Sequence, residues 1–500
     1  MPRARRRQSA LARPESGPAE VLDLKGAAEF LKVSKPTFYR WLAQGTIQGA
    51  KVGQQWRFQR ADLEKLLQGG EAAAFQVDSE DLRAAVDADR KARKLPPIVW
   101  AAEDLTDEGS AVVQLVEAVN AEAIAARASD IHLDAGREQV VVRYRIDGVL
   151  HEVLTFPSKA SPAVIARYKV MADMDTSERR VPQDGRIHLM LDGREYDLRV
   201  ATFPGVLGEC LVARILDRSH VLVGEKGLER LGLSKAVKEA IEERLAQPQG
   251  LIIAAGPSGS GRTTTIYSLL LQLNDPKRKI VTIEDPVEYQ IRGTLQMHVN
   301  RKAGLTAPVG LRFMMRSDPD IIMVHELRDL ETAQGAIAAA MTGHVVLTTM
   351  IAPDSPAVIT RLIEMGAEPF LVASALSAVI AQRLPRLVCQ QCKMEYEPSP
   401  EVLRRLHADT AVEAGRTHFY RGKGCPQCRG TGYRGRTGLF ELLVPDARLR
   451  ELVARPASTG EIRDAAVAAG MVTMLQDGLQ KAAAGLTTVE EVLRVLASQY

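Results

Sequence analysis

Residues 256–265 read Gly256-Pro-Ser-Gly-Ser-Gly-Arg-Thr-Thr-Thr265. A loop of the form G-x-x-x-x-G-K-S/T wraps the phosphates of a nucleoside triphosphate. Its backbone N–H groups and the following helix N-terminus meet their charge. Gly256, Gly261 and Thr263 fit the pattern, and Arg262 stands where the lysine belongs. The candidate phosphate cradle is therefore Gly256, Pro257, Ser258, Gly259, Ser260, Gly261, Arg262, Thr263 and Thr264. The Thr263 hydroxyl is the candidate Mg²⁺ ligand. Arginine keeps the charge of lysine but replaces a compact ammonium with a wide planar fork, so the exchange is not conservative. Backbone binding of nucleotide is expected to persist. Stabilisation of a transition state depends on placement and is expected to suffer more.

Two acidic stretches follow, Glu284-Asp-Pro-Val-Glu288 and Asp318-Pro-Asp-Ile-Ile-Met-Val-His-Glu326. A carboxylate near a γ-phosphate can orient or deprotonate water, and another can hold Mg²⁺ through its waters. A separate set of residues has the chemistry of a metal site. Cys389, Cys392, Cys425 and Cys428 form two C-x2-C pairs, about 32 residues apart. Four thiolates suit structural Zn²⁺ with no open position. A disulfide is the alternative, disfavoured in a reducing compartment. Cys210 stands apart and is expected to be a buried thiol.

These residues need elements to position them. Leu251–Ala255, Ile280–Ile283, Ile321–Val324 and Val345–Thr349 are short apolar runs, which suit a parallel sheet covered on both faces. The run 251–255 enters the glycine loop and a helix over 263–273 leaves it. That context argues against a glycine-rich turn without nucleotide. Upstream, an amphipathic helix from Val112 to Arg127 precedes alternating strands such as 140–146 and 195–201. Five hundred residues exceed one core, and 46% hydrophobic with 25% charged residues is ordinary for a globular chain. A net charge of +3 does not by itself argue for nucleic acid. No apolar run reaches the roughly 18 residues of a membrane span. The basic segment 1–20 lacks the apolar core of a signal peptide and is expected to be a disordered tail.

The ordered motifs resemble the secretion ATPase superfamily of type II secretion and type IV pilus motors, in the secretion E-protein and pilus-extension branch. They are Ala128-Ser-Asp-Ile-His-Leu133, Val142-Arg-Tyr-Arg-Ile-Asp-Gly-Val-Leu150, Pro182-Gln-Asp-Gly-Arg-Ile187 and the glycine loop. Thr282–Tyr289 is similar to the family's Asp box, Asp318–Thr332 to its Walker B segment, and Thr342-Gly-His344 to the start of its His box. The resemblance implies a multidomain α/β chain that forms a homohexamer. A PAS-like lobe (109–220) would hinge on a RecA-like P-loop core (221–384), with a zinc subdomain (385–440) and a helical subdomain (441–500) after it. It implies ATP and Mg²⁺ between the lobes, Glu288 as the water-activating glutamate and Glu326 as the Walker B glutamate. Arg262 and His344 would join the catalytic set, and Arg186, Arg199 and Arg214 would reach the nucleotide from the first lobe. The implied partner is an inner-membrane platform protein, with the chain cytoplasmic and peripheral to that membrane. Departures cluster at the site: Arg262, His325 for the usual glycine, Met350-Ile351-Ala-Pro353 for the usual Leu-His-Thr-Asn, and Cys210 for a lysine.

Residues 21–68 resemble an excisionase or MerR-type winged helix-turn-helix, followed over 69–108 by a linker carrying some helix. A helix at 24–31, a second from Lys35 to Gln44, a wing over 51–58 and a closing helix at 61–67 are expected. Lys35, Thr37, Tyr39 and Arg40 would face a major groove, and Lys51 and Arg57 would meet phosphates from the wing. Docking to a protein is an equal alternative to DNA. Two functions stay open: an ATP-driven motor, or a nucleotide-binding regulator with little hydrolysis.

Overall fold

The computed structural model describes residues 21–30, 42, 47, 49–52, 55–60, 78–100, 111–217, 227–398, 419–455 and 457–497. Its first element group is a three-stranded antiparallel sheet. Strands β1 (Val21–Asp23), β2 (Ala50–Val52) and β3 (Gln55–Gln59) lie in the order β1-β3-β2. The expected wing is β2–β3. Strand β1 was not expected; it pairs with β3 and leads into the helix Leu24–Phe30. Phe58, Ala27 and Ile47 form a small core between them. Lys35, Thr37, Tyr39 and Arg40 lie outside the described residues.

The segment read as a linker carries structure of its own. Helix Ser79–Ala92 is capped by Asp78, whose carboxylate accepts from Glu80 N and Asp81 N. Its Leu82 and Val86 share one core with the sheet that follows. Asp89 accepts from Thr155 Oγ1 at 2.8 Å, and Arg90 grips both oxygens of Glu122. Residues 79–92 are thus a packed helix and not a free tether.

That sheet has six antiparallel strands: β4 (Ala128–Ala135), β5 (Gln139–Ile146), β6 (Val149–Pro157), β7 (Gln183–Leu191), β8 (Arg194–Gly205) and β9 (Gly208–Asp217). Their order is β6-β5-β4-β9-β8-β7. Val140, Val142 and Tyr144 alternate inward along β5, as a half-covered sheet requires. Helices Ala111–Ala125 and Ser161–Met171 cover that face. Tyr168 donates to Asn120 Oδ1 at 2.8 Å, and Tyr144 donates to the Val119 carbonyl at 2.8 Å. Cys210, on β9, is half-buried and not buried as expected.

The second large sheet has seven strands in the order β12-β11-β13-β14-β10-β15-β20. They are β10 (Gly250–Ala255), β11 (Ile280–Glu284), β12 (Thr294–His298), β13 (Ile321–Val324), β14 (Val345–Met350), β15 (Leu376–Arg383) and β20 (Leu439–Leu443). The first six in that order run parallel, and β20 closes the edge antiparallel to β15. Every residue of β10, β11, β13, β14 and β15 is buried, because helices lie on both faces. Between β15 and β20 the chain forms two small ribbons. β16 (Arg386–Val388) pairs with β19 (Tyr433–Arg436), and β17 (Lys393–Tyr396) with β18 (Phe419–Gly422). No helix among the described residues is long and apolar enough to cross a membrane.

The terminal helix Val489–Leu496 is held by a buried carboxylate. Glu491 accepts from Arg386 N at 3.1 Å, Arg386 Nη2 at 2.5 Å and Arg494 Nε at 2.7 Å. Burial alone would push this carboxyl up, but the arginine bonds outweigh it and bring it from 4.5 to about 2. A depressed folded value stabilises the fold above the unfolded value, and that stabilisation fades as pH falls through about 2. Glu491→Gln should therefore cost about 3 kcal/mol at neutral pH. The gap between variant and parent in urea melts should close between pH 4.5 and 2. A gap that stays constant with pH would remove Glu491 as its source.

Candidate nucleotide site

Parallel α/β sheets bind ligands at the carboxyl ends of their strands. Here those ends bring together the loop 256–261 after β10, Asp285–Glu288 after β11, His325 and Glu326 after β13, and Ile351 after β14. The glycine loop turns into helix Arg262–Leu273 at Gly261, whose φ is 89°. A Cβ there would approach Gln382 Nε2 to 2.9 Å. No side chain caps that helix, so its first-turn N–H groups are left for an anion. The loop is braced from below by buried Gln382 on β15. It donates to the Ser260 carbonyl at 2.6 Å and accepts from Thr265 Oγ1 at 2.6 Å. Ser260 Oγ is buried and has no hydrogen-bond partner among the described residues. An uncapped helix, a glycine turn and an orphaned hydroxyl fit a polyphosphate. Thr263 stands half-buried in the first turn, where a Mg²⁺ ligand is needed.

Each candidate catalytic carboxylate is held by arginine. Arg262 Nη1 donates to Glu326 Oε1 at 3.0 Å, with the side chains only 14% and 10% exposed. Arg328 Nε donates to the other oxygen at 2.6 Å. Burial opposes ionisation of Glu326, yet the bonds from Arg328 and Arg262 pull its carboxyl below the ordinary range. The carboxylate form is therefore favoured over the acid. Glu288 is gripped bidentately by Arg199, with Nη2 to Oε2 at 2.9 Å and Nη1 to Oε1 at 3.2 Å. Arg199 sits on β8, so this fork bridges the two large sheets.

Arg199 has company. Arg186 pairs with it across β7–β8, and Arg214 pairs with it across β8–β9. Three arginines thus stand side by side in one row. Like charges directly opposite are unfavourable in a sheet. Arg214 is relieved by Asp130 at 3.0 Å and Arg199 by Glu288. Arg186 is exposed and has no ion pair among the described residues.

Other expected residues fall elsewhere. His344 precedes β14 at the opposite end of the sheet, where its carbonyl accepts from Gly250 N and its Nδ1 meets the Ala339 carbonyl at 2.9 Å. The six residues of β14 separate it from the glycine-loop edge by roughly 20 Å. The structure does not bring it to the catalytic edge with which the sequence grouped it. Asp318 and Asp320 precede β13 and share that far end; Asp320 caps Lys279 N at 2.6 Å. Glu284 is buried, accepting from Tyr267, from Thr282 Oγ1 at 2.6 Å and from Gln296 Nε2 at 3.0 Å, so it braces the site from inside. His325 Nδ1 accepts from Asp285 N at 3.2 Å. A cavity of about 660 Å³ opens beside Asp285, His325, Glu326 and Arg328. Sequence reading missed Gln382 and Arg328, since neither type at such spacing has a signature.

The cysteines converge. The two ribbons bring their loops together so that all four sulfurs lie within 4.8 Å of one another. Cys389 and Cys425 Sγ are 3.8 Å apart, Cys392 and Cys428 3.8 Å, and Cys425 and Cys428 3.7 Å. A tetrahedron with metal–sulfur bonds of about 2.3 Å has edges of about 3.8 Å, while a disulfide is about 2.05 Å. The donor set therefore fits Zn²⁺ and excludes the disulfide alternative. Cys428 Sγ accepts from Cys425 N at 3.1 Å and Gly432 N at 3.2 Å. Burial raises this thiol, but those N–H bonds prevail and bring it to about 6. On the small amino-terminal sheet, Lys51 and Arg57 lie on β2 and β3, with Lys51 opposite Trp56 in register.

Comparison with known proteins agrees with this arrangement. The sequence profile described as "Type II/IV secretion system protein" matches residues 105–494, and one described as "Helix-turn-helix domain" matches residues 21–71. Type II secretion system protein E of Pseudomonas aeruginosa is 42% identical over 433 residues, covering 85% of this chain and 84% of that protein. Type IV pilus assembly ATPase PilB of Thermus thermophilus is 44% identical over 384 residues, covering 77% of this chain and 43% of that one. The solved pilus retraction motor PilT with bound ADP aligns with a TM-score of 0.51 at 25% identity, covering 76% of this chain and 96% of that one.

Proposed function

This chain belongs to the type II/IV secretion system protein family, and from that membership we propose how it works as a secretion or pilus motor ATPase. The single observation that carries the reading is the meeting of the glycine loop, Glu288 and Glu326 at one sheet edge, with Arg199 arriving from the other sheet. In this reading the seven-stranded unit is a RecA-like core and the six-stranded unit a PAS-like lobe. ATP is held between them by Gly256–Thr264, with Arg186, Arg199 and Arg214 as the facing anion contacts. Mg²⁺, held by Thr263 and through water by Glu326, would neutralise charge developing on the phosphates. Zn²⁺ on the four cysteines would be structural.

The chemistry follows from who holds whom. Glu288 is neutralised by Arg199, and Glu326 by Arg262 and Arg328. A triphosphate carries enough negative charge to compete for Arg199 and Arg262. Once Arg199 turns to phosphate, Glu288 is free to accept a proton from water as that water attacks the γ-phosphorus and the bond to ADP breaks. Closing the Arg199 row onto nucleotide moves one lobe on the other, and a homohexamer of such subunits would deliver that movement to an inner-membrane platform protein. The ring would then be cytoplasmic and peripheral to that membrane. Residues 21–68 would dock DNA or a partner protein, with avidity supplied by six copies.

A second reading rests on one observation, the Arg262–Glu326 bond. The P-loop cation is spent on the Walker B glutamate, so the ring would hold ATP and hydrolyse it poorly, acting as a regulator. Phosphate release by the purified full chain, beside Arg262→Lys, separates the two. Lysine cannot fork between carboxylate and phosphate, so the variant should release phosphate about tenfold faster. Equal rates would remove Arg262 as a brake. No turnover in either protein, with hexamer and partner present, would overturn the motor reading.

A further inference from the structure

A cavity of about 740 Å³ lies away from the nucleotide site, between the six-stranded sheet and the cysteine loops. Its walls are tied together by Asp147 of the β5–β6 turn, which accepts from Gly435 N at 2.8 Å and faces Arg436 at 4.0 Å. Arg127, at the end of helix Ala111–Ala125, lines one wall. Arg429, directly after Cys428, and Arg434 line the other.

The charges in this cavity do not balance. Its carboxylates are already engaged: Glu122 by Arg90, Glu152 by Arg93, and Asp147 as described. Arg434 reaches only the neutral Gln427, at 3.0 Å. The guanidinium groups of Arg127 and Arg429 have neither a hydrogen bond nor an ion pair among the described residues. Arg386, stacked on Tyr433 in the same wall, keeps a buried Nε without a partner. His151 brings no counter-charge: burial, then Arg386 and Arg429, push its imidazole down, and it stays neutral at pH 7.

The backbone adds an independent sign. Seven non-glycine residues among those described have left-handed backbone, and three of them, Arg127 (φ 59°), Asp147 (φ 49°) and Arg429 (φ 52°), line this one cavity. Glycine suits such positions better, and strain of this kind collects at ligand sites. Two of these positions carry the unpaired arginines.

We propose that this cavity is a second anion site, which takes a small molecule bearing several phosphate charges. Its volume is that of a small-molecule pocket. One carboxylate would not balance three guanidinium groups, whereas a di- or triphosphate group would, accepting from their planar forks. Because Arg127 and Arg429 come from opposite walls, the ligand would pin the six-stranded unit to the cysteine subdomain.

The probe is pyrophosphate, measured by equilibrium dialysis against the full chain saturated with Mg·ADP at fixed free Mg²⁺. One equivalent of pyrophosphate should bind beyond the ADP. Arg127→Gly and Arg429→Gly suit the left-handed backbone and leave the fold intact. Each should weaken binding about tenfold, and together they should abolish it. Absence of uptake by the ADP-loaded parent, or unchanged uptake by the double variant, would overturn the site.

Discussion

Glu288→Gln should lower phosphate release by about 10²–10⁴-fold while nucleotide binding stays within a few-fold of the parent. Glutamine keeps the shape of the side chain but cannot accept the water's proton. It also cannot neutralise Arg199, which loses its bidentate partner at 2.9 and 3.2 Å. The freed guanidinium should turn to nucleotide, so affinity for ATP should hold or rise. Single-turnover phosphate release and binding of a fluorescent nucleotide, measured on the same preparation, separate the two effects. A variant that hydrolyses at the parental rate would take the base role away from Glu288. A substantial parental rate, lost in the variant, would exclude the non-hydrolysing regulator.

Removal of metal from the cysteine tetrad should unfold the segment that β16–β19 and β17–β18 frame. Structural Zn²⁺ contributes on the order of 10 kcal/mol to small units of this kind. Four sulfurs within 4.8 Å of one another, three of them in buried residues, have little else to hold them together. Elemental analysis should find one zinc per chain, and Cys425→Ser should reduce it. A strong chelator should expose this segment to protease while the seven-stranded sheet resists. Full protease resistance of a verified metal-free chain would exclude a structural zinc.

Much of this site was legible because its chemistry is local in sequence. The glycine loop, Glu288 and Glu326 each follow a short apolar run, and a buried parallel strand leaves little choice about where its carboxyl end points. The four apolar runs became β10, β11, β13 and β14 within a residue or two. What stayed hidden is non-local. Gln382 lies 117 positions beyond its partner Thr265, and Arg199 89 positions before Glu288. Neither spacing has a period. β12 was missed because Thr294–His298 is half-exposed and mixed in polarity. His344 misled because a motif letter carries no direction: it precedes its strand, and only a histidine after Met350 would reach the nucleotide edge. The helix within 78–100 was expected, but its packing was not, because its apolar face is reduced to Leu82 and Val86.

Gln382 has one more consequence. It touches the glycine loop at Ser260 and the following helix at Thr265, and the chain that leaves it runs through β16 to reach Cys389 seven residues later. The phosphate cradle and the cysteine tetrad are therefore joined by one short stretch of chain, the end of β15, Leu384, Pro385 and β16. A displacement of Ser260 would have this stretch as its direct route to the cysteine cluster.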